Sequence, residues 1–205
     1  KGDVIKSEIS NLNSTLHNFL SLIRPGAGEK EVSSDLNRLV GDVVRLLEPQ
    51  ALREGIDLRF EAGQLSGRRN LDAAFVKQIV LNLILNSIQA FQSSGPASDA
   101  DERAIHVTTG QQSGEGSSIS IPFVAIADNG PGISDEVQKQ IFDPFFTTKT
   151  GQGSGLGLTL VRRMVEELGG SVELSSTPGE GARFLVVFGR PDQVPPKELE
   201  GSPAS

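Results

Sequence analysis

The amino-acid sequence predicts a two-layer α/β sandwich, with helices on one face of a mixed sheet of about five strands and a helical-bundle segment ahead of it. Three observations predict it. Five short runs of alternating or apolar residues, at 56–60, 104–109, 118–127, 171–175 and 182–188, have strand character. Residues 71–91 form one long, almost wholly apolar stretch of helical type. Near the start, Ile5, Ile9, Leu12, Leu16, Phe19 and Ile23 recur in alternating steps of four and three, which is the seam of a coiled coil or bundle.

Composition bounds the reading. The chain has 205 residues, 37% of them hydrophobic, enough for one fair-sized core or a domain with an added helix. It has no cysteine, which excludes a disulfide framework, a thiolate metal site and a cysteine nucleophile. A net charge of -7 argues against nucleic acid as the main partner, because a phosphate backbone calls for a basic surface. No apolar run is read as approaching the roughly 20 residues of a membrane span, and no stretch resembles a signal peptide. A soluble, cytoplasmic segment without membrane contact of its own is expected. It opens on Lys1 with its first element close behind, and so reads as part of a longer protein whose own membrane anchoring is a separate question.

Taken in order, the seam helix occupies 1–25. It needs a partner helix, since one helix cannot bury its stripe alone. Arg24-Pro25-Gly26 ends it. His17 lies beside the seam and carries a side chain that is nucleophilic near neutral pH, but a lone helical histidine is as a rule structural, and it is read here as a surface or seam-edge residue. Residues 26–34 make a glycine-containing, charged linker. Asp35 then caps an amphipathic helix built on Leu36, Leu39, Val40, Val43, Val44, Leu46 and Leu47 that runs toward Pro49. This helix opens a domain expected over 35–190, and the run at 56–60 supplies its first strand.

In the apolar stretch 71–91, Gln78, Asn82 and Asn86 fall at four-residue intervals and project from one helix face. Burying an amide without partners costs about 1–3 kcal/mol, so these three must hydrogen-bond either backbone across a helix–sheet interface or a ligand. Residues 93–103 read as a surface loop, and 104–109 and 118–127 as a strand pair joined by the polar loop 110–117. His106 is expected on the sheet surface. Pro122 is awkward inside a central strand and predicts a bulge or an edge. Gly169-Gly170 caps a later helix, 177–181 is the turn between the last two strands, and the Pro-rich, polar segment 191–205 is expected to be disordered.

The chemistry concentrates between residues 128 and 158. Asp128 sits at the carboxyl end of a strand, followed by Asn129-Gly130-Pro131-Gly132-Ile133. Its carboxylate is an acceptor-only group, suited to the exocyclic amine of adenine and unsuited to the guanine carbonyl. The glycines around Pro131 permit the close backbone approach a flat base needs, although the same residues also make an ordinary strand-to-helix turn. Ile141 to Lys149 brings Phe142, Phe145 and Phe146, which can anchor a lid on the body or belong to the core. Lys149 can reach a phosphate as a point charge or simply be solvated, and Thr147, Thr148 and Ser154 can donate to phosphate oxygens. Gly153-Ser154-Gly155-Leu156-Gly157-Leu158 then opens a helix with Val161, Met164, Val165 and Leu168 on its apolar face. Such a glycine-rich helix start offers free N–H groups to phosphate. A dinucleotide fingerprint would need glycine where Leu158 stands, and no Walker Lys-Ser/Thr follows, so neither common nucleotide motif fits.

With those segments in that order, the chain resembles the ATP-binding domain of sensor histidine kinases, within the wider family that includes topoisomerase, chaperone and mismatch-repair ATPases. Asp143-Pro144-Phe145-Phe146-Thr147-Thr148-Lys149 with a very short lid looks most like the nitrogen-regulation class. The resemblance covers nearly the whole chain and implies a Bergerat-type ATP-binding fold. It also identifies 1–25 with the second helix of a dimerisation domain, whose end carries the same Arg-Pro pair.

Asn82-Leu83-Ile84-Leu85-Asn86-Ser87 is similar to the family's asparagine motif, which implies that Asn86 holds Mg²⁺ against the ATP phosphates. An amide oxygen is a suitable ligand for an ion that keeps several waters. Hydrolytic branches of the family carry glutamate where this chain has Asn82, which cannot accept a proton; slow hydrolysis is implied. The nucleotide-binding set the resemblance implies is Asn82, Asn86, Asp128, Gly130, Gly132, Ile133, Phe145, Thr148, Lys149, Gly153, Ser154, Gly155, Leu156, Gly157 and Leu158. The implied reaction is transfer of the ATP γ-phosphoryl group to a histidine of a dimerisation domain, catalysed by positioning and charge neutralisation, for relay to a response-regulator aspartate. The family's acceptor is followed by an acidic residue and soon a proline, whereas His17 is followed by Asn18 and Phe19, so no nucleophile is assigned in this chain. Implied partners are the chain's own dimerisation domain, a homodimer mate and a receiver domain. Two alternatives stand beside this reading: a non-catalytic nucleotide-binding regulator, and a hydrolytic ATPase or serine kinase of the same family.

Overall fold

The computed structural model describes residues 32–33, 35–66, 71–93, 102–113, 120–148 and 155–189. The seam helix with His17, most of the linker, the loop after residue 93, Lys149, Gly153, Ser154 and the segment 191–205 therefore lie outside the described residues.

Seven strands and four helices alternate along the rest: β1 (Val32–Ser33), α1 (Leu36–Arg53), β2 (Ile56–Glu61), β3 (Leu71–Asp72), α2 (Ala73–Ser93), β4 (Arg103–Ser113), β5 (Ser120–Asp128), α3 (Asp135–Gln138), α4 (Gly157–Glu167), β6 (Ser171–Thr177) and β7 (Gly181–Val187). Five strands form the expected mixed sheet in the order β2-β4-β5-β7-β6, with β2 and β4 parallel and the other pairs antiparallel. A separate two-stranded ribbon pairs β1 with β3. This ribbon takes two residues from the expected linker and two from the expected start of the long helix. That helix instead begins at Ala73, where the Asp72 carboxylate accepts the Ala74 and Phe75 N–H groups at 3.1 and 3.2 Å.

Local chemistry accounts for the other boundaries. The Asp35 side chain accepts Arg38 N–H at 2.9 Å, the expected cap of α1. Pro49 does not end α1, which continues to Arg53. Pro49 lies on the exposed side, where water can satisfy the carbonyl that loses its helical donor. α4 closes in a Schellman motif, with Gly169 N–H on Glu166 O and Gly170 N–H on Val165 O, both at 2.9 Å. Pro122 makes no bulge and lies where one side of β5 becomes an edge. The β4–β5 register is unbroken through it, and it sits at the end of the β5–β7 ladder: Phe188 N–H donates to Pro122 O at 2.9 Å, and the reciprocal donor is missing.

Alternation sends Ile105 and Val107 of β4, Val124 and Ile126 of β5, and Phe184 and Val186 of β7 into one core with the inner faces of α1, α2 and α4. His106 lies on the other side and is exposed, as expected. By length and composition Ala73–Gln92 of α2 could cross a membrane, contrary to the expectation that no run would. In the fold it is the central core helix, with Val76, Ile79, Val80, Leu83, Ile84 and Ile88 fully buried. The alternation that buries Ile126 also puts Asp128, the last residue of β5, on the helix-facing side, opposite Ile105 and Ala182.

Candidate nucleotide site

Asp128 is the centre of the site's first wall. Its Oδ1 accepts Gly130 N–H at 3.0 Å and Ala182 N–H at 3.3 Å, and its Oδ2 accepts the Ser87 hydroxyl at 2.7 Å. The carboxyl is thus not wholly free for a ligand, as the sequence led us to expect, but anchored by three donors. Burial pushes its pKa up from the usual carboxylate value, and the bonds from Ser87, Gly130 and Ala182 pull in the opposite direction. Asn129 fastens the strand end to β4, accepting Ala104 N–H and donating to Glu102 O, each at 2.8 Å.

The turn after Asp128 is locked to the β6–β7 hairpin. Gly132 adopts a φ of 69°, and a Cβ there would overlap the Thr177 carbonyl. Ile133 N–H donates to Ser176 Oγ at 2.9 Å, which itself donates to Gly181 O at 2.6 Å. The Gln138 amide donates to Ile133 O at 2.7 Å and to Ser176 O at 3.0 Å, and Gly179 N–H to Pro131 O at 2.7 Å. Gly130 packs close to Phe91 of α2. This network fixes a rigid edge beside the Asp128 carboxyl. Sequence reading missed Ser87, Ser176 and Gln138; the signals available were a hydroxyl beside the amide row in α2, and a polar residue at a core-facing position of β6.

α2 supplies the second wall. Gln78 Nε2 donates to Asn82 Oδ1 at 3.1 Å, so two of the three amides pair with one another rather than with backbone. Asn82 is only 8% exposed. Among the described residues, the buried side-chain nitrogens of Asn82 and Asn86 have no hydrogen-bond partner. Buried polar atoms are rarely left so, because the desolvation cost goes uncompensated. The two unpaired N–H donors therefore fit acceptor oxygens such as those of phosphate, and the Asn86 amide oxygen is of a type suited to a hydrated Mg²⁺.

The third part is the start of α4, which packs against α2. Among the described residues, no atom apart from its immediate neighbours in the chain lies within 4 Å of where a Cβ on its first residue, Gly157, would stand, and no side chain caps the helix. Gly155 has a φ of 64° and lies against the Phe145 backbone, whose N–H donates to Gly155 O at 3.1 Å. Leu156 is buried and Leu158 packs against the core. Of the three phenylalanines, Phe142 is seated: Arg162 stacks over its ring at 4.8 Å and the Thr159 hydroxyl donates to its carbonyl at 3.2 Å. Phe145 does not anchor anything in this structure. It is 74% exposed with a φ of 66°, a conformation that bulky residues rarely adopt. Thr148 is exposed beside it.

A sheet-end carboxylate, a helix face with two unpaired amide nitrogens and a glycine-rich helix start without a side-chain cap, together on a two-layer α/β sandwich, define a nucleotide-binding domain. Residues 71–192 match the family of histidine kinase-, DNA gyrase B-, and HSP90-like ATPases, and the chain belongs to that family. Among curated relatives it is similar to the signal transduction histidine-protein kinase AtoS of Escherichia coli K12, 34% identical over 185 residues that make up 90% of this chain and 28% of AtoS. The sensor histidine kinase ZraS of Escherichia coli O157:H7 is 35% identical over 89% of this chain and 36% of its own length. The chain thus spans about a third of these relatives. Among solved structures, the nucleotide-free catalytic domain of the histidine kinase ThkA superposes with a TM-score of 0.63 at 29% identity, covering 79% of this chain and 96% of that one. ThkA in complex with the response regulator TrrA superposes with a TM-score of 0.66 at 25% identity, over 94% and 51% of the two chains.

Proposed function

We propose that this chain is the ATP-binding catalytic part of a sensor histidine kinase and that it delivers the ATP γ-phosphoryl group to a histidine on a dimerisation domain. An imidazole nitrogen bonds to the γ-phosphorus, the bond from that phosphorus to the ADP oxygen breaks, and the imidazole proton leaves to solvent. The observation that carries the reading is the placement of the Asp128 carboxyl against α2, the same helix that carries the unpaired amide nitrogens of Asn82 and Asn86.

In this reading Asp128 accepts the adenine amine, with Gly130, Gly132 and Ile133 forming the base edge. Asn86 holds Mg²⁺, which neutralises phosphate charge, and Asn82 donates to phosphate. Thr148, Lys149, Gly153, Ser154, Gly155, Leu156, Gly157 and Leu158 surround the phosphates, and Phe145 belongs to the cover above them. Residues 1–25 act as one helix of the dimerisation domain, 26–34 as a linker, 35–190 as the catalytic domain and 191–205 as a tail. The chain works in the cytoplasm within a homodimer, and the phosphohistidine passes its phosphoryl group to an aspartate of a response-regulator receiver domain. The complex of ThkA with TrrA is the model for that last encounter.

Isothermal titration with a non-hydrolysable ATP analogue, with and without Mg²⁺, tests the site, beside Asp128→Ala. Saturable binding that the substitution abolishes is expected; no binding by the unaltered chain overturns the proposal. Transfer is then read as acid-labile phosphate on a supplied dimerisation domain carrying a phosphoacceptor histidine.

A further inference from the structure

The Asp128 carboxylate has a limited set of acceptor positions, and counting them points to a residue with no assigned role. A carboxylate offers about four lone-pair sites. Two backbone donors, Gly130 N–H and Ala182 N–H, occupy Oδ1, and the Ser87 hydroxyl takes one site on Oδ2. One acceptor position remains.

The backbone pair alone does not fix where that position points. Rotation of an aspartate carboxyl about its Cβ–Cγ bond is soft, and both backbone bonds hold the same oxygen. The Ser87 bond engages the other oxygen and sets the plane of the group. At 2.7 Å it is a short, charge-assisted bond of the stronger class. Ser87 itself is 2% exposed and rides on α2, held by the packed turns on either side, so its hydroxyl has little freedom to look elsewhere.

We propose that Ser87 is a positioning residue for base selectivity: by holding Oδ2 of Asp128 it leaves one aligned acceptor, matched to a purine ligand that carries a single exocyclic amine donor at the 6-position. The inference rests on the adenine-binding reading of Asp128.

The test compares two ligands on the 205-residue chain by titration: a non-hydrolysable ATP analogue and purine riboside triphosphate, which lacks the 6-amine. The unaltered chain should prefer the amine-bearing ligand. Ser87→Ala should weaken that ligand about tenfold or more, the usual effect of losing a hydrogen bond to a charged group, and change the other less than about twofold, so that the preference collapses. Ser87→Thr, which keeps the hydroxyl, should restore it. Equal losses for both ligands assign Ser87 a merely structural role and overturn the proposal, as does an unchanged preference in Ser87→Ala. If thermal melting shows Ser87→Ala unfolded, the folded Thr variant decides, and loss of preference there overturns the proposal. A chain that binds neither ligand, or both alike, removes the adenine reading and this inference with it; a preference abolished by Asp128→Ala but untouched by Ser87→Ala removes this inference alone.

Discussion

Gly132 and Thr177 touch backbone to backbone: a Cβ on Gly132 would overlap the Thr177 carbonyl oxygen, and the glycine holds a φ of 69°. The contact joins the turn after Asp128 to the β6–β7 hairpin, so the edge of the site and the outer sheet move as one body.

Gly132→Ala is therefore strained twice, by its dihedral angle and by the overlap. The expected loss is at least about 2 kcal/mol, seen as a fall in Tm of at least about 5 °C, together with weaker nucleotide binding. A melting curve that superposes on that of the unaltered chain would show that the two turns separate easily.

Asp128 is a site where function opposes stability. Burial raises its pKa above the ordinary 3.8, so the folded state binds a proton more readily than the unfolded one. The sign follows: between that ordinary value and the raised folded one, stability falls as pH rises, and above the window the fold carries the full cost of a buried charge. Asp128→Asn removes the charge while keeping the shape. It should melt above the unaltered chain at pH 7, with a difference that shrinks as pH falls toward 3.8, and it should lose adenine binding. A stabilisation that stays constant down to acidic pH would place its origin elsewhere.

Much of this site was legible in the sequence, for a physical reason. The amide row of α2, the Asp35 cap, the strand ending in Asp128 and the glycine pair closing α4 are local patterns, with periods or spacings of a few residues. What escaped is set by partners far along the chain. Ser87 meets Asp128 from 41 residues away, and Ser176 meets Ile133 from 43. Pro122 is tolerated in a central strand because the β5–β7 ladder ends there, and Pro49 stays within α1 because the Arg45 carbonyl that loses its helical donor lies on the exposed side. Neither fact is written near the proline. Phe145 read as an anchor because phenylalanine is usually buried; its exposure follows from a backbone turn held by Gly155, ten residues on.

Asn86 separates a binding role from a packing role. Among the described residues its buried side-chain nitrogen has no partner, so Asn86→Ala removes an uncompensated polar atom and opens only a small cavity. The two effects offset, and the net change in stability is expected within about 1 kcal/mol. Mg²⁺-dependent nucleotide binding should nevertheless be lost in titration. A drop in Tm much beyond a few degrees would show that the amide has a structural partner and weaken its assignment to the ligand.

Gly157 provides the sharpest contrast between fold and function. It is the first residue of α4, the described residues around it leave room for a Cβ, and no positive φ requires glycine there. Gly155, two residues earlier, is closed on both counts. In a helix, glycine is about 0.5–1 kcal/mol worse than alanine, so for the fold alone Gly157→Ala should be neutral or stabilising, and Gly155→Ala should be harmful. If the open space before α4 seats phosphate against the helix N-terminus, the added methyl group intrudes on the ligand instead. Gly157→Ala should then melt at or above the temperature of the unaltered chain and bind the ATP analogue several-fold more weakly, while adenosine, which has no phosphate, is unaffected. Equal affinity for the triphosphate in both proteins would mean that phosphate is held elsewhere, and that the open space at Gly157 serves the approach of another part of the protein.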